Sequence, residues 1–102
     1  MQIYGREVDF KISRLKDAGN MEMALNNMAR AEVDIKNHRS GNLTKVIEKG
    51  IKLFRDFFVD ATGTDVLANC EDLDEAKEAY LAFLAEVKKQ EDLVGVSLTD
   101  IK

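Results

Sequence analysis

The chain contains no proline, no tryptophan, one cysteine and one histidine. Average usage would place about five prolines in a chain of this length. Their absence favours long uninterrupted helices, because proline breaks a helix interior. A single cysteine leaves no disulfide within the chain, and one cysteine with one histidine argues against a Cys/His zinc site or a Cys–His dyad. No run of apolar residues approaches the ~18 that a membrane span requires. The stretch Met1-Gln2-Ile3-Tyr4-Gly5-Arg6-Glu7 has neither the basic start nor the apolar core of a signal peptide. One thiol and no secretory signal read as cytoplasmic. Basic excess is missing too: a net charge of −4 argues against nucleic acid as the main ligand.

What is present is an ordinary globular balance, 45% hydrophobic and 33% charged over 102 residues. A chain of this size makes one domain, burying roughly 65% of the surface its unfolded form exposes. The acidic charge is uneven, with ten acidic and four basic residues between positions 61 and 102.

The pattern predicts a mostly α fold with an α+β character: a three-helix bundle with an N-terminal β-hairpin packed on it. The compact domain is expected over residues 1–92. Met1, Ile3, Val8, Phe10 and Ile12 alternate with polar residues, and a type II′ turn at Gly5-Arg6 would pair Ile3 with Val8 and Met1 with Phe10, a hairpin over 1–12. A helix is expected from about 17 to 36, with Met21, Leu25, Met28 and Ile35 inward and Asp17 or Asn20 as cap. Gly19 suits a frayed first turn. The segment from about 42 to 62 carries the clearest signal. Leu43, Val46, Ile47, Gly50, Ile51, Leu53, Phe54, Phe57 and Phe58 fall within roughly a 160° arc, wide enough for a central helix touching two neighbours. Gly50, mid-stripe, would let another backbone approach, and Gly63 is a natural stop. Asp72 and Glu75 read as a capping box opening a third helix to about 91.

Several groups invite a chemical reading. Asp60-Ala61-Thr62-Gly63-Thr64-Asp65 is similar to the phosphorylated loop of P-type pumps, but that chemistry needs the aspartate at a strand end, and here it follows a phenylalanine-rich helix. Glu71, Asp72, Asp74, Glu75 and Glu78 lack EF-hand spacing and suit a helix N-terminus. Cys70, beside acids, reads as a structural thiol, and His38 lies in a loop without a nearby nucleophile. No catalytic residue, cofactor site or metal site is assigned, so the chain reads as no enzyme. Met23 lies off the main stripe of the first helix and is a surface candidate. Ala76, Ala79, Ala82 and Ala85 recur every third residue, which reflects either helix propensity or a close-contact surface. Val94, Val96 and Leu98 alternate with small polar residues, so 93–102, beginning at Leu93, is expected to be an extended interaction tail. The candidate protein-binding residues are thus Met23, Ala79, Ala82, Leu93, Val94, Val96 and Leu98.

Three features together carry a resemblance: the hairpin Gln2-Ile3-Tyr4-Gly5-Arg6-Glu7-Val8-Asp9-Phe10, the helical Phe54-Arg55-Asp56-Phe57-Phe58-Val59-Asp60, and Leu73-Asp74-Glu75-Ala76 leading into Ala79-Tyr80-Leu81-Ala82-Phe83. Over residues 1 to 91 the chain resembles the small tail-assembly chaperones of long-tailed phages and prophages of Gram-positive bacteria. The resemblance implies a non-enzymatic protein of the bacterial host cytoplasm, a homo-oligomer that binds the tape-measure protein and helps tail-tube protein polymerise around it, without cofactor, nucleic acid or membrane. The competing reading is a small cytoplasmic helical regulatory or adaptor protein, antitoxin- or inhibitor-like.

Overall fold

The computed structural model describes residues 1–37 and 42–95. Two short strands, β1 (Gln2–Ile3) and β2 (Arg6–Glu7), precede three helices, α1 (Leu15–Asn37), α2 (Leu43–Thr62) and α3 (Leu73–Val94). The fold is the expected one in class: mostly α, three helices packed together, with a two-stranded antiparallel hairpin against α3.

The hairpin turns one residue earlier than expected. Gln2 faces Glu7 and Ile3 faces Arg6, and Tyr4 and Gly5 make the turn with φ of 51° and 76°. Positive φ at both central residues marks a type I′ turn, whose twist matches that of the flanking strands. Moving the turn by one residue moves every pairing by two, so the side-chain alternation survives. Ile3 and Val8 still share the buried face. Val8 N–H closes the ladder on the Met1 carbonyl at 2.8 Å. Beyond it the extended chain finds another partner: the Gln90 side-chain amide on α3 donates to the Phe10 carbonyl at 3.2 Å and accepts from Ile12 N–H at 2.8 Å. One amide thus does for residues 10–12 what a neighbouring strand would do.

The helix ends follow capping chemistry. Asn42 Oδ1 accepts from Thr44 and Lys45 N–H at 3.0 and 3.4 Å, and Gly63, at φ 74°, closes α2 onto the Val59 carbonyl at 2.9 Å. Asp72 Oδ1 accepts from Asp74 and Glu75 N–H at 2.8 and 3.3 Å. The Glu75 carboxylate reaches out to the Tyr4 hydroxyl at 2.9 Å, where the capping box would have turned it back. α1 starts two residues earlier than expected, which places Asp17 and Asn20 inside it. Asp17 ties the helix to the incoming chain, accepting from Lys11 N–H at 3.0 Å and from Arg14 at 3.2 Å. Gly19 lies within the helix, not in a frayed turn.

α3 runs further than expected, to Val94, and stops at Gly95 with φ 82°. Leu93 and Val94 therefore belong to a helix and not to an extended tail, because the first residue suited to the left-handed C-cap comes at position 95. His38, Val96 and Leu98 lie outside the described residues.

α2 is central and packs on both α1 and α3. Asn27 of α1 meets Asp60 near the end of α2, as in an antiparallel pair. Against α3 the order ascends in both helices. Leu73 lies on Gly50, Tyr80 stacks on Phe54 at 5.1 Å, and Phe83 meets Phe58 at 5.4 Å. α2 and α3 therefore point the same way, and residues 63–72 return alongside α2 to connect them. That return also fills the core, since Val66 and Leu67 are fully buried with Phe57, Phe58 and Phe83. From the N-terminal segment, Phe10 packs edge-on to Phe83 at 5.2 Å. From α1 come Met21, Ala24 and Met28.

The outer turns of α2 differ from the expectation that its whole stripe is inward. Leu43 is 74% exposed and Val46 43%. α3 begins against α2 with Leu73 on Gly50, and Ile47, one turn earlier, shares an open hollow with Leu73 and Asp74. Among the described residues no helix is long and apolar enough to cross a membrane.

Candidate functional site

The route of residues 63–72 creates a concavity on α2. Where the connection returns along α2 it leaves an open groove of about 760 Å³ between itself and the outer side of that helix. Ile47, Ile51 and Val59 of α2 supply its apolar surface, with Cys70 on the facing wall. Ile47 and Ile51 are half-buried and Val59 is exposed. Positions 47, 51, 55 and 59 form one i±4 row, and Thr44, Glu48, Lys52 and Asp56 form the next, so the groove follows the ridges of α2.

Arg55 interrupts the apolar row between Ile51 and Val59, and the other charges lie along both sides. Arg55 holds Asp65 with a fork of bonds, Nε to Oδ1 at 3.0 Å and Nη2 to Oδ2 at 2.7 Å, which ties α2 to the connection. The guanidinium holds the Asp65 carboxyl below the usual carboxylate range by hydrogen bonding. Asp65 in turn raises Arg55. Lys52 pairs with Asp56 one turn on, at 2.6 Å. Glu48 and Glu71 make no ion pair among the described residues. A second hollow of about 410 Å³ adjoins at Ile47 and Glu71 and continues past Asp72, Leu73 and Asp74.

Tyr4 stands beside this wall. Its neighbours Cys70, the larger influence, and Glu75 push its hydroxyl above the usual tyrosine range. The ring is exposed on a backbone of φ 51°, a conformation that costs a non-glycine residue roughly 1–3 kcal/mol. Cys70 is buried, and its thiol donates to the Asp72 carbonyl at 3.2 Å.

Three of the expected binding residues, Met23, Ala79 and Ala82, have described side chains, on α1 and α3. Met23 is 45% exposed on α1, and Ala82 is exposed on α3. Ala79 is a correction: at 6% exposure it lies in the core, one turn before Phe83 on the same inward face, and has no surface to offer a partner. Ala76 is likewise buried. Asp60 sits in the last turns of α2, accepting from Asn27 at 3.3 Å, and not at a strand end. No cluster of three His, Cys, Asp or Glu side chains among the described residues is arranged to hold a metal ion.

Of the groove residues, Ile47 and Ile51 were legible only as core. The signals were a stripe wider than its neighbours cover and Val59, an apolar residue outside that stripe. In comparisons with known proteins, no family model, no curated protein and no solved structure matches this chain.

Proposed function

We propose that this chain is a non-enzymatic assembly chaperone that shields a long helical client, in the manner of phage tail-assembly chaperones, which bind the tape-measure protein and assist polymerisation of the tail tube. The observation that carries this reading is the groove on α2. Its apolar part is Ile47, Ile51 and Val59 of α2, set among charged side chains of which Lys52 pairs with Asp56 and Arg55 with Asp65. Such a surface holds an apolar helix face while its borders keep the free protein in solution.

The reading is tested by co-expressing the chain with the tape-measure protein of its own genome in a bacterial host. The expected outcome is a soluble complex of the two that survives size-exclusion chromatography. A tape-measure protein that stays insoluble beside well-folded, abundant chain overturns the reading and favours the regulatory or adaptor alternative.

A further inference from the structure

We infer that the α2 groove takes a basic amphipathic helix of about four turns, its apolar face on Ile47, Ile51 and Val59 and its Lys or Arg residues beside Glu48 and Glu71. This narrows the client-binding reading above and rests on it.

The length follows from the lining. Thr44 to Val59 spans about 22 Å along α2 at ~1.5 Å per residue, the length of a helix of some fifteen residues. The shape follows from the two parallel i±4 rows, because the space between such rows receives the matching ridge of another helix. A strand would find no free sheet edge here: the groove is bounded by α2 on one side and by the 63–72 return on the other.

The charge follows from counting partners. The border holds four carboxylates, Glu48, Asp56, Asp65 and Glu71, against two cations. Both cations are already engaged, Lys52 by Asp56 and Arg55 by Asp65. Glu48 and Glu71 are left to face an incoming partner, and Asp74 extends the acidic end into the adjoining hollow. A second copy of this chain, at net −4, brings more acid to that end, so a basic partner is favoured over self-association.

The test uses two synthetic peptides with the same leucine pattern, one flanked by lysines and one by glutamates, each carrying a tryptophan. The chain has no tryptophan, so fluorescence reports the peptide alone. The lysine peptide should bind roughly tenfold more tightly than the glutamate peptide, the worth of two exposed charge pairs. The double variant E48K/E71K should reverse that order, which loss of folding cannot mimic. Val59→Asp, on an exposed position, should weaken both peptides. Equal binding of the two peptides, an order unchanged by E48K/E71K, or amide shifts centred away from α2 would each overturn the inference. So would a dimer that dissociates on E48K/E71K, which would make the groove a self-interface. Peptide binding in the groove without rescue of the tape-measure protein supports the inference and overturns only the tail-chaperone reading. Rescue that persists in E48K/E71K and Val59→Asp overturns the inference and leaves that reading standing.

Discussion

Leu73 occupies the space that a side chain on Gly50 would need. Its Cδ1 lies 2.7 Å from where a Cβ at position 50 would stand. What approaches the glycine is a side chain, not the backbone that the mid-stripe position suggests. Two effects oppose each other there. Glycine inside a helix costs about 1 kcal/mol relative to alanine. Displacing Leu73 costs little, because it is half-buried and borders an open hollow into which its methyls can turn. Gly50→Ala should therefore change stability by no more than about 1 kcal/mol, whereas Gly50→Leu should lose roughly 1–3 kcal/mol by forcing the start of α3 off α2. Adding Leu73→Ala to Gly50→Leu should recover part of that loss. Strict additivity of the two changes in urea unfolding would refute the contact.

The aromatic core ranks two phenylalanines that the helical stripe treats alike. Phe57 is 1% exposed and touches the rings of Phe58, Tyr80 and Phe83, whereas Phe54 is half-buried and stacks on Tyr80. Phe57→Ala should cost about 3–5 kcal/mol and Phe54→Ala roughly half that or less. Chemical denaturation giving Phe54 the larger effect would contradict this packing.

Gln90 offers both a donor and an acceptor to the backbone of residues 10–12. Gln90→Leu should cost about 1–3 kcal/mol, because the Ile12 N–H, part-buried, loses its acceptor. Gln90→Glu keeps the acceptor but sets a charge against the Phe10 carbonyl. Its loss should shrink as acid protonates the introduced carboxyl and restores a donor. Hydrogen exchange at Ile12 checks both, and unchanged protection in Gln90→Leu would show that the clamp is dispensable.

Asp65 sets part of the acid sensitivity. Its folded pKa lies below the ordinary value of 3.8 because Arg55 hydrogen-bonds the ionised form. A depressed folded pKa gives stability that is complete above the ordinary value and is lost as pH falls through the folded one. Asp9, depressed by Arg14, follows the same sign, but its side chain is 81% exposed and solvent screens it. Melting temperatures from about pH 6 down to about pH 2 should fall less steeply in Asp65→Asn than in the parent. Equal slopes would show the Arg55–Asp65 fork contributes nothing to folding.

Much of this architecture was legible because it rests on local chemistry. Gly63 and Asp72 mark helix ends where the sequence puts them, through bonds within a few residues of themselves, and Asn42 caps α2 in the same local way. The hairpin turn was harder to place, since Tyr4 in a left-handed conformation has no local signature. Its hydroxyl is held by Glu75, seventy-one residues away. The groove was illegible for a related reason. Periodicity shows that one side of α2 is apolar but not that α3 enters beside Gly50 and runs in the same direction. That arrangement leaves Leu43 and Val46 exposed and Ile47 and Ile51 at the edge of an open surface.

The clamp of Gln90 on Phe10 and Ile12 also bears on the order in which the molecule can assemble as it is synthesised. The first twelve residues emerge from the ribosome long before the side chain that holds them. Ile3, Val8, Phe10 and Ile12, all buried in the finished fold, have only α1 and then α2 to rest against until α3 is complete. Closing contacts 78 and 80 residues apart is the slowest geometric step available to this chain, because so much must be ordered before it is rewarded. Residues 1–12 are thus a segment exposed to mispairing during synthesis, and the final turns of α3 end that exposure.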